Sequence, residues 1–290
     1  MNRILITIFL LCSLGSSFAQ SRIKDSIQLA LDLNQVSRVH LSNINGSITV
    51  KGTQRDQAEL RGVRTLSAMG EESMKDAQAD VQVTTLKKDG HLFIYLNIPR
   101  FGFEVDGEGK GSYAGCYDSP KGMRKPLGYS FTYDFVLYIP HNTSLEISTI
   151  NDGDLSVEDV YAAVQAKNIN GSIELHNIGR VSEAHTINGD IHITQREIPT
   201  QDAFFSTING DVKLWYPENL SAEVLLMSRR GELLTAYDWK ALSPETEKIT
   251  EEKGKSTYKI HSWNRIQIGN GGPKIHMETL NGDLYVLKDK

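Results

Sequence analysis

One short corner recurs along the chain and limits its fold more than any other feature. "HTINGDIHI" at 185–193 is followed by a near copy, "STINGDVKL", at 206–214. Related stretches read "NINGSITV" from Asn43, "NINGSIEL" from Asn168 and "TLNGDLYV" from Thr279. The corner asparagines are Asn45, Asn151, Asn170, Asn188, Asn209 and Asn281, and Arg230 takes that place in a degenerate copy, "SRRGELLT". The glycines behind them are Gly46, Gly153, Gly171, Gly189, Gly210, Gly231 and Gly282, with spacings of 18 and 21 residues through the middle. Self-similarity at a short fixed period marks stacked repeats.

The flanking columns say what is stacked. Four places before the corner stand Leu41, Ile147, Ala166, Ala184, Phe205, Leu226 and Met277, all apolar. Two places before stand Asn43, Thr149, Asn168, Thr186, Thr207, Ser228 and Thr279, all small and polar. Beyond the glycine, pairs such as Ile173/Leu175 and Ile191/Ile193 alternate with polar neighbours. Period-two alternation predicts strands with one buried face, two strands per copy. The Asn-Gly between them suits a bend, because glycine takes positive φ without a Cβ penalty. Asn-Gly also suits hairpins, so an antiparallel meander is the alternative. A β-solenoid accounts better for columns that keep their residue type, since like residues stack between coils ~4.8 Å apart. In that reading Thr supplies a ladder, the Ile or Leu directly before the corner supplies core, and the acid or Ser after the glycine caps the turn. A propeller blade needs ~40 residues, more than this period allows. The expected fold is all-β: a single-domain, parallel β-helix-like solenoid with an N-terminal β-hairpin insertion.

A first segment differs in kind. Arg3 precedes the apolar run "ILITIFLLCSLGSSFAQ", with Ser17 and Ala19 ahead of Gln20. Short apolar length and small residues at its end predict a signal peptide at 1–19 and a domain at 20–290. Cleavage there would leave Cys116 as the sole cysteine, so neither an internal disulfide nor a cysteine zinc site is expected. No later stretch is apolar enough to span a membrane. A net charge of −5 offers no basic field for nucleic acid. The protein is expected in the periplasm, on the outer surface or outside the cell.

An irregular insertion, about 53–140, interrupts the repeats. It holds a helix-forming stretch at 65–80, a hairpin signal at Asp89-Gly90 and a strand at 129–140. Its segment from Phe101 to Gly128 is glycine-rich, lacks periodicity and reads as a long loop. The aromatics Phe101, Phe103, Tyr113 and Tyr117 in it are candidate contacts for a partner, and Cys116 is a candidate exposed thiol.

Few residue patterns point to chemistry. Asp190, Asp211, Glu232 and Asp283 would form an acidic column on successive coils, and hard oxygens suit calcium. One acid per coil is sparse for a calcium solenoid, and Ser47 and Ser172 interrupt the column, so capping is the better reading. Arg229 and Arg230 break the repeat rule and are candidates to bind a carboxylate or to pair with Asp211 and Glu232. No nucleophile elbow, phosphate loop or dinucleotide fingerprint occurs, and no catalytic residue, cofactor or metal is assigned.

The "TINGD" units, the "VLYIPHNTSLEISTINDGDLSV" entry and the terminal "GGPKIHMETLNGDLYVLK" together resemble the bacterial putative-adhesin domain family, a domain of unknown function built from β-strand repeats. The resemblance covers about residues 36–290. It implies an exported protein with a solenoid-like fold and supplies no catalytic residues. The expected function is a non-enzymatic envelope or surface protein offering a rigid face to a glycan or protein. The alternatives are a carbohydrate-active enzyme on the same scaffold and a purely structural or signalling envelope module.

Overall fold

Each corner joins two short strands, and the two strands go to different sheets. The computed structural model describes residues 20–99, 102–107, 109–114, 128–243, 246–252, 255–260 and 263–289. The leader segment 1–19 and the candidates Phe101, Cys116 and Tyr117 lie outside them. Coil 1 pairs Arg38–Ser42 with Ile48–Thr53, and coil 2 Ser144–Ser148 with Leu155–Glu158. Coil 3 pairs Ala163–Lys167 with Ile173–Ile178, coil 4 Arg180–His185 with Ile191–Gln195, and coil 5 Ala203–Ser206 with Val212–Tyr216. Neighbouring coils are parallel on both sheets, which rules out the meander.

The order of coils departs from the order of the chain. After coil 5 the next coil in space is the last repeat, Lys274–Thr279 with Leu284–Lys288, here coil 6. The degenerate copy, Ala222–Ser228 with Leu233–Thr235, stacks beyond it as coil 7. The chain therefore lays down the end of the stack first and returns to fill the place before it.

Two rows of side chains run through the stack and make its core. On one sheet Ile48, Leu155, Ile173, Ile191, Val212 and Leu284 are in register and fully buried. On the other, Leu41, Ile147, Ala166, Ala184, Phe205, Met277 and Leu226 are in register and buried. Each large side chain so buried contributes roughly 1.5–3 kcal/mol. Ser182 stands where neighbouring coils place Val164 and Ala203, yet it does not open the core. A bulge there pairs Val164 with Val181 and Gln165 with Glu183, so Val181 turns inward instead.

The insertion is larger than a hairpin and builds the leading end. Gln20–Leu31, Ala58–Met69 and Tyr129–Pro140 form a twelve-residue-long antiparallel ribbon, and Tyr129–Pro140 runs on in parallel beside coil 1. The helix Glu71–Asp80 buries Met74 and Ala77 against it. On the second sheet, His91–Asn97 lies parallel to Arg38–Ser42, with Gln82–Lys88 antiparallel at the edge. His91–Asn97 and Tyr129–Pro140 thus form an extra leading coil whose corner is expanded into the glycine-rich segment. One continuous core runs from Leu31 to Val286. Among the described residues no helix is long and apolar enough to cross a membrane.

Candidate functional site

The corners themselves are structural, and they work by passing hydrogen bonds from coil to coil. Asn151 Nδ2 donates to Asn45 Oδ1 (3.1 Å), Asn170 to Asn151 (3.3 Å), Asn188 to Asn170 (2.9 Å), Asn209 to Asn188 (2.8 Å) and Asn281 to Asn209 (2.7 Å). Thr186 Oγ1 donates to the Gly171 carbonyl, Thr207 to Gly189, Thr279 to Gly210 and Ser228 to Gly282, each within 3.0 Å. This polar column, expected to be a hydrogen-bonding ladder, is buried in coils 1 to 6: Thr186 is 0% exposed and Thr279 1%. In the Ile/Leu column expected to be core, Ile44 is buried and Ile150 packs against the core, but Ile169, Ile208 and Leu280 face out, 38–40% exposed. Strict alternation carries into the corner: the places four and two before it face in, so the hydroxyl reaches a neighbouring carbonyl from inside and the alkyl group directly before the corner turns out.

The glycines are required by proximity more than by bending. A Cβ on Gly189 would stand 2.3 Å from the Gly171 carbonyl oxygen, and one on Gly210 2.1 Å from that of Gly189. Gly153 and Gly231 lack the positive φ of Gly171, Gly189, Gly210 and Gly282, yet their Cβ atoms would meet the adjacent coil at 2.2 and 1.8 Å. Close backbone stacking excludes a side chain at all of these corners.

The acidic column also turns out to be a cap, though across coils and not within one turn. The Asp211 N–H donates to Asp190 Oδ1 (2.8 Å), the Asp283 N–H to Asp211 Oδ1 (2.9 Å) and the Glu232 N–H to Asp283 Oδ1 (2.8 Å). Burial raises the Asp211 pKa, but the Asp283 N–H and Lys213 ammonium outweigh it and hold the group below the usual carboxylate range. The column reaches one residue that the corner pattern does not reveal. Asp134 accepts from the Ser47 N–H and hydroxyl, and the acid-apolar-x-apolar run "DFVL" marks its place.

The other candidates separate. Phe103 and Tyr113 are part-buried against each other and against other rings of the chain. They belong to a hairpin, Gly102–Val105 with Gly111–Ala114, inside the segment expected to be a loop. Phe103 stacks on Tyr95 (4.1 Å) and meets Phe93 edge-on, while the Tyr113 hydroxyl accepts from the Leu96 N–H. Gly111 hides the pattern in the sequence: a Cβ there would lie 2.5 Å from the Phe103 ring, so alternation is lost where the packing is tightest. Beside this hairpin, His40 Nε2 lies 2.8 Å from His91 Nδ1, and its Nδ1 is 3.3 Å from Glu146 Oε2, without hydrogen-bond alignment. Burial pushes Glu146 up, but His40, Lys167 and Arg38 bring it below its ordinary value. Arg229 and Arg230 are exposed or partly exposed in their turn. The pairing expected for them is not made: Lys213 holds Asp211 at 3.0 Å, and the two arginines form no ion pair among the described residues.

A site the sequence did not single out lies on the outer face of the first sheet. There Trp215, His176, His192, Thr194, Lys288 and Asp289 line an open depression of about 300 Å³. Strand register brings them together: Thr194 pairs with Trp215, and Trp215 with Leu287. His192 meets the Trp215 ring edge-on at 6.0 Å, and its Nε2 is buried without a hydrogen-bond partner. An aromatic face rimmed by hydroxyl, imidazole, ammonium and carboxylate can pack one apolar ring face and bind polar groups around it.

The family model of Toastrack DUF4097 matches residues 11–264. A search of curated proteins found no match. Three solved structures are similar at low identity. A putative cell adhesion protein from Clostridium sporogenes has a TM-score of 0.43 at 8% identity, covering 92% of this chain and 100% of its own. A putative adhesin from Bacteroides fragilis has 0.26 at 11%, covering 91% and 97%. A putative lipid binding protein from Parabacteroides distasonis has 0.23 at 10%, covering 92% and 97%. Likenesses this weak bear on neither site nor ligand.

Proposed function

The chain belongs to the Toastrack DUF4097 family, and on that premise we propose that it is an exported, non-enzymatic envelope or surface protein whose rigid sheet face binds a glycan. The observation that carries this reading is the Trp215 depression on a stack whose backbone and side chains are bonded coil to coil. A scaffold ordered before binding loses little further entropy when a ligand settles on it. A pyranose presents an apolar face to an indole ring and hydroxyls to its rim, which here holds His176, Thr194, Lys288 and Asp289. Export rests on the apolar leader at 1–19 with its small residues Ser17 and Ala19.

Support for a binding rather than a hydrolytic role comes from the carboxylates. Glycoside hydrolysis uses two carboxyl groups roughly 5–9.5 Å apart, one of them free to give a proton. The corner acids Asp190, Asp211 and Asp283 instead spend an oxygen each on a neighbouring N–H. A glycan array followed by calorimetry tests the reading. Trp215→Ala should lower affinity for the best array ligand at least tenfold, about 1.4 kcal/mol, with the melting curve unchanged. Equal binding by wild type and variant would contradict it.

A further inference from the structure

The trailing end of the stack is built unequally. The first sheet stops at Leu233–Thr235, whereas the second continues past coil 7 through the antiparallel strands Asn264–Ile268 and Trp239–Leu242. Among the described residues, no first-sheet strand stands opposite these two extra strands, which extend the second sheet by ~4.8 Å each beyond the last coil. A cavity of about 680 Å³ opens there, lined chiefly by Leu226, Leu233, Trp239, Leu242, Trp263 and Ile266. Trp239 is 55% exposed and Leu234 39%, so the apolar lining reaches solvent. The one charged group in the lining is already engaged: Arg265 Nε donates to Glu223 at 2.8 Å and its Nη1 to the Ser243 carbonyl. The lining is thus mainly hydrocarbon and indole, with Thr235 and Asn264 as its uncharged polar residues.

Charge waits in the turn that joins the two coil strands lining this cavity. Arg229 and Arg230 stand in that turn, open to solvent and without an ion pair among the described residues. In the other copies the same two places hold an apolar residue and the ladder asparagine. Two adjacent arginines in a turn between strands that line an apolar cavity complement a ligand with a carboxylate head and a hydrocarbon tail. A concave slot between two sheets fits a slender chain better than the flat surface of a protein partner.

We propose that this end cavity binds the alkyl chain of a fatty-acid-class amphiphile, with Arg229 and Arg230 meeting its carboxylate. The site is separate from the Trp215 depression and does not depend on the glycan reading. Calorimetric and tryptophan-fluorescence titration with decanoate, dodecanoate and tetradecanoate, each below its critical micelle concentration, tests it. The expected result is a single site whose affinity rises roughly fourfold per added CH2. The double variant Arg229→Ala/Arg230→Ala should lose tenfold or more toward dodecanoate and leave dodecanol binding unchanged. Trp239→Glu, at a mostly exposed position, should abolish binding of both, and Trp215→Ala should change neither. Absence of saturable tetradecanoate binding, or affinity independent of chain length, would overturn the proposal. So would equal dodecanoate binding by the arginine variant. A wild-type dimer in light scattering that Trp239→Glu makes monomeric, and that tetradecanoate fails to dissociate, would assign the cavity to a second copy of the chain instead.

Discussion

Coils 2 to 6 and coil 7 carry the same corner, yet their polar groups end differently. In the middle, Asn151, Asn170, Asn188 and Asn209 each donate backward and accept from the coil that follows, and each glycine carbonyl receives a hydroxyl or amide from the next coil. Coil 7 only gives: Ser228 reaches back to Gly282 and the Glu232 N–H to Asp283, with no further coil beyond. An asparagine at position 230 would have no successor to serve. The repeat rule relaxes where stacking stops, and the freed positions hold arginines beside an apolar cavity. The lesson is that columns are held fixed by having neighbours on both sides.

The largest effect should come from the glycines. Gly189→Val places a Cβ 2.3 Å from the Gly171 carbonyl, with Gly210 packed on its other side. Backbone cannot yield as a side-chain tip can, so a loss of about 3 kcal/mol or more is expected. Gly231→Val makes an equally close contact, 1.8 Å, but among the described residues no first-sheet strand stacks beyond coil 7, so its corner can move away. Denaturant melts should show the clearly smaller loss at Gly231; equal losses would break the comparison between middle and end.

Hydroxyls come next. Thr186→Val keeps the shape of a fully buried side chain and removes the donor to the Gly171 carbonyl. An unsatisfied buried carbonyl costs about 1–3 kcal/mol. Ser228→Ala, on the end coil, should cost less, and a larger loss at Ser228 would contradict the account.

A smaller effect distinguishes the leading end. Burial, with His40 and Arg38 nearby, pulls the His91 pKa below its ordinary 6.5. The unfolded chain therefore takes up its proton at higher pH than the folded one. The stability this provides is complete above ordinary histidine values and is lost as pH falls toward the folded value. The Tm drop from about pH 7.5 to about pH 5.5 should shrink in His91→Gln; an unchanged drop would remove His91 from the acid response.

The core rows were legible in the sequence because apolar residues recur two by two around each corner, as Ile173/Leu175 and Ile191/Ile193 do. Other features were not. At the corner two signals conflict: alternation from the place four before it turns Thr inward and Ile outward, whereas apolarity alone assigns the Ile to the core. The order of coils was hidden too: the Asn281 copy stacks equally well on any coil with the same columns, and only the long return through residues 232–273 lets it slip in before coil 7. The Trp215 depression depends on strand register, which pairs Thr194 with Trp215, and the end cavity on residues that meet from different sheets, Leu226 and Leu233; neither carries a motif. The hairpin within the glycine-rich segment was masked by Gly111, whose bareness is a packing requirement.

The order of coils is the central claim, and a pair of cysteine variants tests it most directly. In a Cys116→Ser background, Asn209→Cys with Asn281→Cys places thiols on bridged corners of adjacent coils, although they are far apart in sequence. Asn209→Cys with Arg230→Cys places them two coils apart, ~9.6 Å and beyond disulfide reach. Mild oxidation of the folded protein should link the thiol introduced at position 209 to the one at position 281 and leave the 209/230 pair unlinked. Linkage of the 209/230 pair, with none in the 209/281 variant, would show that the coils follow chain order and would contradict the account.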